Sequence, residues 1–347
     1  MKGADSHMYN YNFALNWKDT LEEQFITLLK KACEDRKLSF LWINKKNIIS
    51  IIKQLKENRL KIDALLDGEA TYNKKGDIYA KLCYAAKDAG AAIINDPDRT
   101  RIAIDKSVSH FELINAGIQT PYTVIVRSWE PRNRGLAQET KKRLGIPFII
   151  KPACGYGQKG LIKDARGTIE EIAKARSFDY EDNFLLQEKI IPIRLGNKRA
   201  WFRLLHVFDA IIPCWWDDQT NIYEHVSEKE FYTHDFLKLV EIVAKIASLS
   251  KMVWFSSEIA IDKKKDRRRF VCIDYINDQC CLNTKSETSS GLPDNIVKYI
   301  TRHIVEKTYD FIHKKSVDRR YKVFLKGATI ELKGLSVPSS LLRQGYP

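Results

Sequence analysis

The 347-residue chain contains no run of ~18 consecutive apolar residues, so it offers no helix able to cross a bilayer. The first residues, Met1-Lys2-Gly3-Ala4-Asp5-Ser6-His7-Met8, lack the apolar stretch of a secretory signal. They read as a cloning leader ahead of Met8, with residues 1–19 as a whole outside the fold. Seven cysteines are present (Cys33, Cys83, Cys154, Cys214, Cys272, Cys280 and Cys281), none in a C-x-x-C pair. An odd count without pairing excludes a disulfide framework and predicts a reduced, cytoplasmic protein. Zinc-ligand spacing and H-E-x-x-H are also missing, so a metal site would draw on carboxylate and amide oxygens, which suit magnesium. There is no G-x-x-x-x-G-K-[ST] loop, no internal repeat and no low-complexity segment.

What is present is ordinary globular material, 44% hydrophobic and 29% charged, enough for two or three domains. Lysine plus arginine (58) exceed aspartate plus glutamate (44) by 14. That excess favours an anionic partner such as a nucleotide, a polyphosphate, a carboxylate substrate or nucleic acid. Residues 313–347 hold eight basic and two acidic residues and read as a basic tail. A solvated lysine-rich surface accounts for the same charge equally well.

Hydrophobic periodicity predicts helices over Thr20–Asp35, Asn47–Glu57 and Ala80–Ala89, alternating with strands at Leu38–Ile43, Asp63–Asp67 and Ala91–Asn95. This is a small parallel α/β domain over residues 20–104. Beyond it, strands are predicted at Thr120–Val126, Pro147–Pro152, Leu161–Lys163, Phe184–Ile191, Ala200–Phe208, Ile211–Trp216, Val253–Ile261 and Arg269–Ile276. The helices there are Arg101–Ala116, Leu136–Leu144, about Thr168–Ala175, Phe236–Leu249 and Asn295–Ile312. The fold class is α/β (α+β).

Gly155, Gly157 and Gly160 form G-x-G-x-x-G. A dinucleotide-binding loop must open a helix, but Leu161-Ile162-Lys163 continues as strand. A protein kinase needs H-R-D and D-F-G downstream, and neither occurs. A third reading is a hairpin lid whose phosphate-binding lysine, Lys151, precedes the glycines. A plain glycine hairpin stands beside it as the bland alternative. Further on, Glu258 and Asp274 lie inside strands joined by the charged turn Asp262–Arg268. Carboxylates in such a hairpin must be paired or metal-bound. With Asn277 they suit one or two Mg²⁺ ions on nucleotide phosphates, or else they pair with Arg267-Arg268-Arg269.

The order of these parts resembles the ATP-grasp superfamily. Asp105-Lys106 opens a helix; Lys151-Pro152-Ala153-Cys154-Gly155-Tyr156-Gly157 is the strand and glycine loop; Gln187-Glu188-Lys189-Ile190 resembles the hinge; Arg203 lies on the next strand; Glu258, Asp274 and Asn277 follow. The resemblance spans about Leu38 to Leu282. It implies a two-lobed ATP-grasp fold at 105–312, with the glycine-loop lobe at about 121–188 and the metal lobe at about 189–312. By the same resemblance Lys106, Lys151 and the Gly155–Gly160 loop, with Tyr156, hold ATP. Gln187 and Lys189 flank an adenine site on the backbone of Glu188 and Ile190, and Glu258, Asp274 and Asn277 hold Mg²⁺. By the resemblance Arg203 helps position the transferred phosphate or stabilises an acyl-phosphate intermediate. Three departures stand out. No acid follows the hinge in Ile191-Pro192-Ile193-Arg194-Leu195. Two residues, not one, separate Asp274 from Asn277. Asp278-Gln279-Cys280-Cys281 replaces the usual Pro-Gly.

The implied function is an ATP- and Mg-dependent ligase joining a small-molecule or peptide carboxylate to an amine through an acyl phosphate, releasing ADP. A small-molecule kinase on the same fold is the first alternative, and a non-catalytic basic RNA- or anion-binding protein is the second. Cys154 reads as a packing residue. Asp67-Gly68-Glu69, at the end of a parallel strand, offers a substrate-site candidate in Asp67 and Glu69, against the alternative of a turn with two solvated acids.

Overall fold

The computed structural model describes residues 8–17, 23–131, 135–155, 157–264, 266–315 and 320–342. The chain divides into two compact units, one made of Met1–Arg101, Arg203–Ser256 and Asn277–Pro347, the other of Ile102–Phe202 and Ser257–Ile276.

The first unit opens with strand β1 (Tyr9–Asn16), helix α1 (Glu23–Asp35), β2 (Phe40–Ile43), α2 (Ile48–Lys56), β3 (Leu60–Asp67), α3 (Ile78–Asp88) and β4 (Ala92–Ile94). The strands form a parallel sheet in the order β2-β1-β3-β4. Residues 9–16, assigned above to a leader, are therefore a central strand. Phe13 lies opposite both Phe40 and Ala64, and Phe13-Ala14-Leu15-Asn16 is fully buried. A strand covered on both faces shows a continuous apolar run instead of alternation, and here that run is only three residues long after the polar Tyr9–Asn12. Ile48, Ile51 and Leu55 of α2 and Ala80, Cys83 and Ala86 of α3 pack with Ala14, Ile62 and Leu65 of the sheet. Asp77 caps α3 by accepting the Ala80 N–H.

Helix α4 (Pro97–Ala103) carries the chain across the boundary, and α5 (Lys106–Asn115) begins the body of the second unit. There β5 (Thr123–Val126), α6 (Gln138–Leu144), β6 (Phe148–Pro152), β7 (Ile162–Ala165), α7 (Ile169–Arg176) and β8 (Phe184–Gln187) build a sheet in the order β5-β8-β6-β7, antiparallel throughout. Phe148, Ile150, Leu186 and Ile172 form its core. A capping box between Thr168 and Glu171 starts α7. The buried Arg176 at its end donates to the carbonyls of Arg127, Ser128, Glu130 and Pro131, fixing the loop after β5. A short hairpin, β9 (Arg194–Leu195) and β10 (Lys198–Arg199), leads to β11 (Trp201–Val207).

The chain returns to the first unit within β11, at Arg203. There follow β12 (Ala210–Trp216), β13 (Tyr223–His225) antiparallel to β12, α8 (Glu228–Thr233) and the well-buried α9 (Leu237–Ser250). The long strands β14 (Trp254–Lys264) and β15 (Arg267–Asn277) belong mostly to the second unit. Helix α10 (Asp294–Ile312), β16 (Arg320–Leu325), β17 (Ala328–Ser336) and α11 (Ser339–Leu342) complete the first.

The predicted basic tail is thus mostly structure. β16 runs parallel to β12, with Ala210 opposite Lys322, and pairs antiparallel with β17. Tyr321, Val323 and Leu325 are buried and alternate with the more exposed Arg320, Lys322 and Phe324, a period-2 pattern hidden by the charge count. Nearby, the fully buried Asp209, in the turn between β11 and β12, binds His303 Nε2 and Lys307 Nζ of α10, each at 2.7 Å.

Candidate active site

Asp105 caps α5, accepting the Ser107 N–H at 2.8 Å. This fixes the start of the helix and hence Lys106, whose N–H donates to Ala153 O at 3.1 Å. The Lys106 side chain is buried. Its Nζ donates to Gly155 O at 3.2 Å and lies 3.7 Å from Asp274 Oδ1. Strand β6 delivers Lys151, whose Nζ donates to Ile273 O at 2.9 Å and sits 5.7 Å from the centre of the Tyr275 ring. Burial holds the Lys151 ammonium below its usual pKa and Lys106 lowers it further, while Asp274 and Glu258 act in the opposite direction. Both lysines and both carboxylates singled out in the sequence thus fall in one neighbourhood of the second unit.

The glycine segment joins β6 to β7 in a hairpin, as predicted, and does not open a helix. Two glycines have separate reasons to be there. A Cβ on Gly155 would lie 2.2 Å from Pro152 Cγ, whereas Gly157 has open space but a φ of +57°. Gly157 to Lys159 are exposed. Tyr156 lies outside the described residues. The Cys154 N–H donates to Asp182 Oδ2 at 2.8 Å, and burial with the nearby Asp182 pushes its thiol up to about 12, so it stays protonated.

At the hinge the Glu188 N–H donates to Tyr122 O at 2.8 Å, so that backbone donor is already committed. What Glu188 can offer a base is its carbonyl. Its carboxylate accepts the Tyr122 N–H at 3.2 Å and Lys264 Nζ at 2.9 Å. Lys189 pairs with Asp164. The buried Gln187 amide donates to Thr123 Oγ1 and Tyr275 Oη, both at 3.1 Å, so its side chain serves the protein interior. Ile190 packs with Ala260 and Val271 and with the half-buried Trp201 and Ile273, an apolar surface beside the hinge.

The remaining predicted residues lie in the first unit. The Arg203 guanidinium stacks 4.8 Å from the Trp216 ring centre. Asn277 ends β15, its Oδ1 accepting the Gln279 N–H at 3.3 Å. Two intervening residues aim Asp274 and Asn277 at opposite faces of a regular strand. Asp67 is buried and accepts the N–H groups of Glu69 and Ala70 and the Tyr72 hydroxyl. Its carboxylate braces its own turn, which removes the ground for calling it a substrate ligand; Glu69, half-buried, sits in that turn.

Sequence reading missed Trp201, His110 and Tyr275. Trp201 Nε1 donates to Glu258 Oε2 at 3.4 Å. His110 Nδ1 and Tyr275 Oη are 2.6 Å apart, and burial, helped by Lys151, holds His110 down to about 4, hence neutral. One signal was available: Tyr275 occupies the position one residue removed from Asn277, where the resemblance led one to look for an acid.

Among the described residues, no three of His, Cys, Asp and Glu converge into a self-sufficient metal cage. Glu258 and Asp274, flanked by lysines, instead suit an ion that takes one or two carboxylates and completes its shell with phosphate oxygens and water, as Mg²⁺ does.

No protein-family model matches the chain, and no curated protein sequence does. Solved structures do. A RimK-domain ATP-grasp protein from Sphaerobacter thermophilus aligns over 85% of this chain and 98% of its own, at 17% identity and a TM-score of 0.57. D-alanine–D-alanine ligase from Bacillus anthracis, complexed with ATP, aligns over 88% and 99%, at 15% identity and 0.57. The D-cycloserine synthetase DcsG aligns over 85% and 99%, at 11% identity and 0.57. The architecture that gathers Lys106, Lys151, Glu258 and Asp274 is therefore the ATP-grasp fold.

Proposed function

We propose that this protein is an ATP-dependent ligase that joins a carboxylate to an amine or similar nucleophile, releasing ADP and phosphate. The observation that carries the reading is the convergence of two partly or fully buried lysines and two carboxylates beside a glycine hairpin. Two close ammonium groups repel each other, and an anionic polyphosphate relieves that repulsion. Lys106 and Lys151 hold phosphate oxygens, and the Gly155–Gly160 hairpin covers them with backbone N–H groups. The surface of Ile190, Trp201 and Ile273 receives the base. Glu258 and Asp274 hold Mg²⁺, which when bound neutralises phosphate charge. The metal and phosphate roles that the resemblance implied for Asn277 and Arg203 form no part of this reading, since both residues belong to the first unit.

In the reaction the substrate carboxylate oxygen attacks the γ-phosphorus, the bond to the ADP oxygen breaks, and an amine then displaces phosphate from the acyl phosphate. The chain's own task is to position the groups, neutralise charge and exclude water. No covalent nucleophile is needed, in keeping with a protonated Cys154. The cation excess supports an anionic carboxylate substrate.

ADP release screened over pairs of carboxylates and amines tests the reading. The expected result is release that requires both partners and is lost in Asp274→Asn. Release with a single hydroxyl compound, leaving a stable phosphorylated product, supports the kinase instead.

A further inference from the structure

Trp201 begins β11 as a half-buried ring with two kinds of neighbour. Its apolar body packs in the cluster of Ile190, Ala260, Val271 and Ile273, and its Nε1 donates to Glu258 Oε2 at 3.4 Å. Indole suits such a place, having a broad apolar face and a single polar edge that can only donate. A donated hydrogen bond favours the ionised carboxylate and restricts its rotation.

We propose that Trp201 is a positioning residue that links base binding to metal binding: its ring walls the base surface beside Ile190 while its N–H holds the Glu258 carboxylate in place for Mg²⁺. The inference rests on the assignment of Ile190 to the base and Glu258 to the metal given above. A base lying against the ring would restrict the indole and so the carboxylate, and an ion fixed by Glu258 would restrict the ring that meets the base. The two ends of the nucleotide would then assist each other through one side chain, as linkage requires.

Two substitutions separate the ring from its N–H. Trp201→Phe keeps an aromatic wall and deletes the donor; Trp201→Leu deletes both. The measurement is calorimetric titration of the full chain with the β,γ-imido analogue of ATP, first in EDTA and then across a Mg²⁺ series. Trp201→Phe should keep the metal-free affinity within about twofold and need about threefold to tenfold more Mg²⁺ for its half-maximal effect, the range for loss of one modest hydrogen bond. Trp201→Leu should weaken metal-free binding as well. A Mg²⁺ midpoint in Trp201→Phe equal to wild type overturns the proposal, as does unchanged metal-free binding in Trp201→Leu. If the leucine variant fails to fold, the phenylalanine titration decides alone. Glu258→Gln keeps the two failures apart. If it shifts the midpoint and Trp201→Phe does not, Trp201 alone is misassigned; if it leaves the midpoint unmoved, the metal role of Glu258 falls and the proposal with it.

Discussion

Lys151 shows at the scale of one residue what the site requires. Its ammonium spends one donor on the Ile273 carbonyl, lies near a second lysine and has its charge disfavoured by burial. Such a group is costly unless an anion arrives. Lys151→Met keeps the apolar stem and removes the charge, so the unliganded protein should melt no earlier than wild type. Its stabilisation by ATP and Mg²⁺, about 2.7 kcal/mol at a hundredfold excess over Kd in wild type, should largely vanish. A full thermal shift in the variant would remove Lys151 from the nucleotide site. Asp274→Asn deletes charge without volume and leaves Lys106 facing an amide across 3.7 Å. Turnover should fall about a hundredfold or more, in the range seen when one electrostatic stabiliser is lost. Normal turnover with a paired substrate would make Asp274 structural.

Among the elements, the glycine hairpin and helix α10 differ in what holds them. The tip at Gly157–Lys159 is exposed, and its anchor is Lys106 on Gly155. Hydrogen exchange should show Gly157–Lys159 weakly protected in the free protein and protected with ATP and Mg²⁺, with Ala153 and Cys154 protected in both states by their bonds to Asn183 and Asp182. Equal protection in both states would refute a moving lid. Gly157→Val meets no neighbour but must hold a φ of +57°, so about 1–3 kcal/mol of local strain is expected, together with weaker ATP use. Gly155→Ala should instead damage the fold, through Pro152. Helix α10 is tied down by charge. Asp209→Asn leaves Lys307 and His303 without their buried carboxylate and should cost about 3–5 kcal/mol in denaturant unfolding. A loss below about 1 kcal/mol would mean the cluster relaxes to water.

For the molecule as a whole, two buried histidines set an acid limit. Burial, with Lys151, holds His110 down to about 4, and burial, reinforced by His303 and opposed by the Val253 backbone acceptor and by Asp209, holds His206 down to about 3. In the unfolded chain both titrate near 6.5. Between those values the unfolded state binds more protons, so stability is present above about pH 6.5 and drains away as pH falls toward 4. Asp209, itself held below the usual carboxylate range by His303 and Lys307, loses its contribution only below that window. Melting temperature should therefore fall steadily from pH 7 to pH 4.5, and less steeply in His206→Gln. Parallel curves for variant and wild type would show that His206 does not control this slope.

Amino-acid order alone specifies the elements that repeat a local pattern and the residues with distinctive chemistry. Helices such as α9 and α10 announce themselves by period, and Asp105-Lys106, Lys151 with its glycines, Glu258 and Asp274 were each visible because charge and glycine are unusual inside apolar strands. It did not determine what depends on partners far along the chain. Strand β1 looked like a leader because a central strand is recognised by two neighbours, β2 and β3, and not by its own alternation. The β16–β17 hairpin looked like a tail because eight cations outweighed three buried side chains in a count that ignores direction. Asp67 looked available until Tyr72 and two backbone N–H groups were placed around it, and Gln187 until Thr123 and Tyr275 were. Hydrogen-bond commitment is a property of three-dimensional neighbours. Local sequence says which groups can act; only the tertiary structure decides which of them the protein has already used.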